Sequence, residues 1–277
     1  MTSPTDAPTI DADRLMTRLI AIAMEAGDVV MAGFGGECAQ ETKADSSPVT
    51  QFDQAAETLI ARHLAADFPG IPVVGEEDIS TGHVPPDLGR RFFLVDPLDG
   101  TKEFVAGVPD FTVNIALIED GLPSCGVVLA PAHGELFVGS AAGAFKCRSR
   151  RDGTWTEFQP IHARERPPEI IALVSRSHRT SATDGFLQQF TLDAAIPMGS
   201  SLKYCRIAEG VADIYACFGR TMEWDIAAAH AVLKAAGGDI RQLDGSPLSY
   251  GRRGRSDAAD FANPAFVATG REAAAVS

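Results

Sequence analysis

A layered α/β or α+β sandwich is the fold class this sequence predicts, and three observations carry the prediction. Segments with helical spacing and short β-branched runs are interleaved in both halves of the chain. The runs between 111 and 138 are separated by tight turn signals, as in a meander of antiparallel strands. Helix punctuation is also present, a cap at Thr50 for the second helical segment and Gly237-Gly238 as the exit of the last.

The elements follow in order. Leu15, Leu19, Ile22, Ala26 and Val29 recur at helical spacing and predict an amphipathic helix over roughly 12–32. The stretch TKADSSPVTQFDQAAETLIARHLAADF reads as turn or extended chain up to Pro48. From Thr50 it reads as a capped helix with Phe52, Ala56, Leu59, Ile60 and Leu64 on one face. Short strands are expected at 72–75, 92–95, 111–118, 126–130 and 135–138, the last three punctuated by EDG (119–121) and AHG (132–134). Segment 148–170 is charged and holds Pro160, Pro167 and Pro168, so a boundary is placed near 160, dividing 1–160 from 161–277. Beyond it come a strand, IIALVS (170–175); two helices, TDGFLQQF and SSLKYCRIAEGVA; and a strand, DIYACF (213–218). WDIAAAHAVLKAAGG (224–238) has the strongest helical pattern, with Ile226, Val232, Leu233 and Ala236 spaced for burial and Gly237-Gly238 as the exit.

Composition excludes several classes. With 45% apolar and 22% charged residues, the 277-residue chain is neither disordered nor membranous in character. The first ten residues have neither a basic region nor an apolar run, so no signal peptide is expected. The longest apolar stretches fall well short of a span, so no integral membrane segment is expected, and the cysteine usage points to a cytoplasmic setting. Five cysteines (Cys38, Cys125, Cys147, Cys205 and Cys217) form no CxxC pair and suggest no disulfide framework. The formal charge of -13 argues against a nucleic-acid polymer as partner. It leaves room for a small phosphorylated ligand, because a bound divalent cation reverses the local potential.

The chemistry is concentrated in FLVDPLDGTKEF. An apolar run, Phe92 to Val95, is followed directly by Asp96, and a carboxylate in the interior is costly unless something pairs with it. Pro97 removes a backbone donor and turns the chain, leaving the Leu98 carbonyl and Asp99 to face the same centre. Gly100 and Thr101 offer the amides of a turn or helix start, a seat for phosphate oxygens. Hard carboxylate and carbonyl oxygens suit magnesium. A capping turn accounts for the same string. Elsewhere, PVVGEED ends a strand on Glu76, Glu77 and Asp78, which equally describes a solvated acidic cluster. TMEWDIAAAH places Asp225 in the first turn of an apolar helix, where capping is the alternative, and Asp53 lies in the first turns of the second helix.

Taken together, SPVTQFD, GEE, DPLDGT, FTVNIAL, GSSLKYC, IAEGVADIY and EWDIAAAHAVLKAAGG resemble the inositol monophosphatase-like superfamily of magnesium-dependent phosphatases over roughly residues 15–270. Within it the likeness is greatest to the bacterial 3'(2'),5'-bisphosphate nucleotidases associated with sulfate assimilation. That resemblance implies an α-β-α-β-α sandwich, sugar-phosphatase-like, of two tightly joined parts with the active site between them. It implies two or three Mg2+ ions held by Glu76, Asp96, the Leu98 carbonyl, Asp99 and Asp225, with Asp96 bridging. Thr101 and Asp53, aided by Glu76, would orient the attacking water. The Gly100 and Thr101 amides would seat phosphate, and Glu77 would support the loop.

The resemblance also implies a substrate side. Arg176, Ser177 and His178 of VSRSH, and Gly199, Ser200, Ser201 and Lys203 of GSSLKYC, match ligand-facing segments. Arg176 and Lys203 also read as ordinary surface cations. Removal of the 3'-phosphate of adenosine 3',5'-bisphosphate, with 3'-phosphoadenylyl sulfate as a further substrate, is the expected reaction. An inositol monophosphatase or broader sugar phosphatase is the alternative, and a non-catalytic metal- or nucleotide-binding regulator a third reading. Gln51, Gly75, Cys217 and Arg220 depart from the usual residues, Gly75 standing where the nucleotidase branch often has serine. A monomer and a homodimer are both compatible with the sequence.

Overall fold

The computed structural model describes residues 11–36, 40–42 and 48–271. Cys38, the expected turn over 43–47 and the small-residue tail lie outside the described residues. In chain order the elements are α1 (Ala12–Met31), β1 (Gln40–Thr42), β2 (Pro48–Thr50), α2 (Gln51–Asp67), β3 (Val73–Gly75), α3 (Glu76–Ser80), β4 (Arg91–Asp99) and α4 (Thr101–Val105). Then come β5 (Thr112–Glu119), β6 (Leu122–Ala130), β7 (Glu135–Ser140), β8 (Gly143–Arg148), β9 (Gln159–Pro160), β10 (Glu169–Ser175), α5 (Ser181–Leu187), β11 (Thr191–Met198) and α6 (Leu202–Ala208). The chain closes with β12 (Ile214–Cys217), α7 (Ala227–Ala235), β13 (Asp239–Gln242) and β14 (Phe266–Thr269).

The larger sheet has seven strands in sequence order, β3 to β9, with β3 parallel to β4 and every later pair antiparallel. The smaller has five, ordered β11-β10-β12-β14-β13. Helices α1 and α2 pack on one face of the larger sheet, α6 and α7 lie between the sheets, and α5 covers the far face of the smaller one. The result is the expected α-β-α-β-α sandwich. Its layering explains the apolar run in β4: Phe92 and Leu94 enter the core between the sheets, whereas Phe93 and Val95 enter the core under α1 and α2. A strand buried on both faces has no polar alternation.

Two glycines bring α7 onto the larger sheet. A Cβ on Gly126 would lie 2.3 Å from the Ala228 carbonyl oxygen, and one on Gly139 would lie 2.4 Å from the Val232 Cα. Helix backbone and sheet backbone are therefore in direct contact, which sets the position of the residues just ahead of α7.

Several expectations shift. The strand expected to end at Val95 runs on to Asp99, with a register irregularity between Asp96 and Asp99 that accommodates Pro97. The charged stretch after 148 holds β9, and β8, β11, β13 and β14 carried too little periodicity to be read. β11 is mostly exposed and contains Asp193 and Pro197, so no face of it alternates. Helix α7 begins at Ala227, not at Trp224; Asp225 precedes the helix instead of lying in its first turn, and its Oδ2 accepts from the Met222 amide at 2.8 Å. The larger sheet ends at Pro160, and the smaller begins at Glu169.

Candidate active site

Three carboxylates from three separate elements meet at one point. Glu76 opens α3, Asp96 lies in the irregular end of β4, and Asp225 precedes α7; each offers an oxygen within 4.8 Å of the others. Asp96 is buried, and its Oδ1 accepts from the Leu98 amide at 3.0 Å, closing a tight turn around Pro97. Asp99 shares the wall of the same cavity with Glu76 and Asp225. Its Oδ2 accepts from the Ser201 amide, and Asn114 Nδ2 lies 3.5 Å away. Burial, with the Glu103 and Glu76 charges adding, pushes the Asp99 carboxyl up to about 6 against the pull of Lys203 and the Ser201 amide. Asp225 is driven well above the usual carboxylate range by burial and by the Asp99 and Glu76 charges.

A hydrogen-bond chain runs beside this cluster. Gly100 takes φ 94°, a left-handed value that a side chain would strain, and so turns the end of β4 into α4. Thr101 then lies at the start of α4 with its Oγ1 3.2 Å from Asp53 Oδ1 and 3.1 Å from the Leu98 carbonyl. Asp53 Oδ2 in turn accepts from the Thr50 amide at 2.9 Å and the Thr50 hydroxyl at 2.6 Å, forming a capping box at the start of α2. Asp53 is thus fixed on one oxygen and presents the other to Thr101.

The opposite wall comes from the second half of the chain. The cavity, of about 580 Å³, is lined there by Ser177, His178, Gly199, Ser200, Ser201 and Lys203. Lys203 is buried; its Nζ lies 2.5 Å from the Ser200 carbonyl and sits over the Tyr215 ring. Burial pulls its pKa down, while Asp99 pushes it up. Ser177 donates to Glu103 at 2.7 Å, and Lys102 Nζ lies 2.9 Å from His178 Nε2. Burial and the Lys102 charge lower the His178 pKa, which fits a neutral ring accepting from the ammonium. Arg176 turns away from the cavity: its guanidinium pairs with Asp110 at 2.7 Å and reaches the Pro197 carbonyl.

The model of the inositol monophosphatase family matches residues 11–273. The chain belongs to the inositol monophosphatase family. A member from Escherichia coli strain K12, named 3'(2'),5'-bisphosphate nucleotidase CysQ, is 40% identical over 254 residues, covering 91% of this chain and 98% of its own. The crystal structure of CysQ from Bacteroides thetaiotaomicron superposes with a TM-score of 0.76 at 30% identity, covering 95% of this chain and 99% of that one. A histidinol-phosphatase from Mycobacterium tuberculosis is 36% identical over 256 residues, with 86% of this chain and 91% of its own covered.

In this member of the family the donor set fits magnesium. Glu76, Asp96 and Asp225 supply hard oxygen donors only, and the like charges that raise Asp99 and Asp225 are relieved by a divalent cation among them. None of the cysteines among the described residues is an activated thiol. Burial pushes the Cys125 thiol up to about 12 and Cys147 to about 11, and it also raises Cys205 and Cys217.

The sequence did not single out Lys102, Glu103, Asn114 or Glu57 as contributors. Lys102 and Glu103 directly follow the DPLDGT string, and Glu57 lies one turn after Asp53 on α2, so adjacency to recognised residues was the available signal. Glu57 is buried, which pushes its carboxyl up to about 7 against the downward pull of the Glu77 and Asp78 amides.

Proposed function

We propose that the protein is a magnesium-dependent phosphate monoester hydrolase that removes the 3'-phosphate of adenosine 3',5'-bisphosphate, giving AMP and inorganic phosphate, and that also acts on 3'-phosphoadenylyl sulfate. The observation that carries this reading is the meeting of Glu76, Asp96 and Asp225 beside Asp99, in a cavity that Lys102, His178 and Lys203 also line. Acidic groups and cations facing one cavity suit a ligand with one phosphate at the metal and further anionic or polar groups beside the cations. The name shared by the Escherichia coli and Bacteroides relatives supports the choice of ester.

In this reading Glu76, Asp96, the Leu98 carbonyl, Asp99 and Asp225 hold two or three Mg2+ ions. Bound magnesium supplies positive charge against the phosphoryl oxygens and makes a water more acidic. The chain's own residues orient that water. Thr101 Oγ1 gives its single hydrogen to Asp53 Oδ1 and keeps its lone pairs for a water proton, so the nucleophilic oxygen points at phosphorus. A proton passed along this pair comes to rest on Asp53. The Gly100 and Thr101 amides, at the start of α4, receive phosphoryl oxygens. Attack forms the new P–O bond as the bond to the 3'-oxygen breaks; the departing oxygen takes a proton from a solvent water to become the ribose hydroxyl, and Asp53 returns its proton to solvent. Ser177, His178, Gly199, Ser200, Ser201 and Lys203 line the nucleoside end; Arg176 acts behind them by holding the segment. The division at residue 160 assigns most metal ligands to the first part and Asp225 with the ligand wall to the second, and the buried thiols suit a cytoplasmic setting.

The test is phosphate release with and without Mg2+ from adenosine 3',5'-bisphosphate, 3'-phosphoadenylyl sulfate, inositol 1-phosphate and histidinol phosphate. The expected result is Mg2+-dependent release with kcat/KM for the bisphosphate at least ~100-fold above inositol 1-phosphate, the scale of losing one charged contact. Comparable rates on inositol 1-phosphate or histidinol phosphate would overturn the substrate, and no release from any ester would overturn the activity.

A further inference from the structure

We infer that Glu57 is a positioning residue for Glu76, and that residue 75 is glycine because the Glu57 carboxylate occupies the space a side chain there would need. The inference rests on the reading of Glu76 as a magnesium ligand. Glu76 is the first residue of α3, a helix of five residues whose N-cap, Gly75, has no side chain to cap it. The opening amides of a helix have no partner within it, and a single turn does not sustain itself in isolation. Here a carboxylate from 20 residues upstream serves instead. Glu57 Oε2 accepts from the Glu77 amide at 2.9 Å, and Oε1 accepts from the Asp78 amide at 2.7 Å. Both oxygens of one buried group are spent on the two peptide units that follow Glu76, so the direction of the Glu76 side chain follows from where Glu57 stands.

The close approach is visible at Gly75. A Cβ there would lie 2.4 Å from Glu57 Cδ and 2.6 Å from each of its oxygens. The Glu57 side chain can yield only by leaving the two amides. Glycine at 75 is therefore a requirement of this clamp and not a mark of substrate class. The same helix face also carries Asp53, one turn earlier, which meets Thr101. One rigid face of α2 thus sets both the carboxylate at 76 and the acceptor behind Thr101.

The experiment measures Mn2+ binding by the loss of the free-ion EPR signal, together with kcat against Mg2+ concentration, for the full chain, Glu57→Gln, Glu57→Ala, Gly75→Ala and the Glu57→Ala/Gly75→Ala double variant. Supporting partners behind metal ligands are worth about 10–100-fold in affinity. Glu57→Ala and Gly75→Ala are each expected to weaken ion binding by that factor, with kcat largely recovered at saturating Mg2+. Gln, which keeps one acceptor, should fall between. Adding Gly75→Ala to Glu57→Ala should cost nothing more, because the clash partner is gone. Should Glu57→Ala fail to fold, Gly75→Ala and Glu57→Gln carry the same comparison. Unchanged ion affinity in the folded variants, or full additivity in the double variant, overturns the clamp while leaving the hydrolase reading intact. Absence of ion binding by the unsubstituted chain overturns both.

Discussion

Gly126 and Gly139 are register partners on β6 and β7, and the backbone of α7 rests on both. Asp225 stands two residues ahead of α7, so this contact fixes one carboxylate of the acidic cluster relative to the sheet that carries Asp96. Alanine at either position drives a methyl group into backbone that has no free rotamer to yield. Gly126→Ala and Gly139→Ala should each cost ~1–3 kcal/mol, as overpacking does, and should also weaken Mg2+ binding. Gly185→Ala, on a helix with open space around it, is the control and should leave stability equal or raise it by about 0.5–1 kcal/mol. Urea unfolding checks the set; unaltered midpoints for the first two variants would mean that α7 does not lie this close.

In the proposed mechanism Thr101 and Asp53 act on the orientation and proton of a water, not on ion binding. Thr101→Ala and Asp53→Asn are expected to lower kcat by about 10²–10⁴-fold, the usual worth of a positioned acid–base group. Calorimetric Mg2+ affinity should stay within a few-fold of the unsubstituted chain. A loss of ion affinity as large as the loss of kcat would move both residues into the metal set.

The ionised forms of Asp99 and Asp225 oppose folding when no cation is present. Burial and like charges raise Asp225, so ionising it costs more in the folded chain than in the unfolded one. Asp225→Asn should therefore raise the metal-free Tm while abolishing the Mg2+-induced rise seen for the unsubstituted protein. Asp96→Asn should retain the fold, since the amide oxygen still accepts from the Leu98 amide, and should lose most turnover at saturating Mg2+. A Tm scan with and without 10 mM-scale Mg2+, beside a turnover assay, decides both; near-normal turnover by Asp96→Asn would remove it from the metal set.

What the sequence made legible follows from how local each signal is. Helices α1 and α2 carry their cap and apolar spacing within one segment, so their bounds were readable to a residue or two. DPLDGT packs a strand end, a turn and a helix start into six residues, which is why it pointed to the centre. The partners of that string lie far off: Ser201 meets Asp99 across 102 residues, and Ser177 meets Glu103 across 74. No periodicity encodes such pairs. Arg176 illustrates the limit, since a cation in a motif expected to face ligand pairs with Asp110 and does not line the cavity. Asp225 illustrates another: its helix was evident, but the turn that holds it ahead of the helix depends on the Met222 amide. β13 and β14 became strands through pairing with each other and with β12.

Asp110 gives the joint between the two walls a pH dependence. It lies just before β5, and His133 Nε2 at 3.1 Å, the Arg176 guanidinium at 2.7 Å and the Gly199 amide at 3.5 Å converge on it. The His133 hydrogen bond first, then Arg176 and Gly199, hold its carboxyl down at about 2 against burial, from an ordinary 3.8. A carboxyl with a folded pKa below its unfolded one stabilises the fold fully above the unfolded value. That contribution fades as pH falls through about 3.8 toward about 2, because protons then bind the unfolded chain first. Asp110→Asn should therefore lower Tm by a constant amount at pH 5 and above, and the gap from the unsubstituted protein should close as pH drops to 2. Releasing Arg176 should also raise KM more than it lowers kcat, because the segment carrying Ser177 and His178 loses its anchor. Thermal unfolding of both proteins from pH 6 to pH 2 reads the first expectation, and a gap that stays constant over that range would show that the ionised carboxylate does not hold this joint.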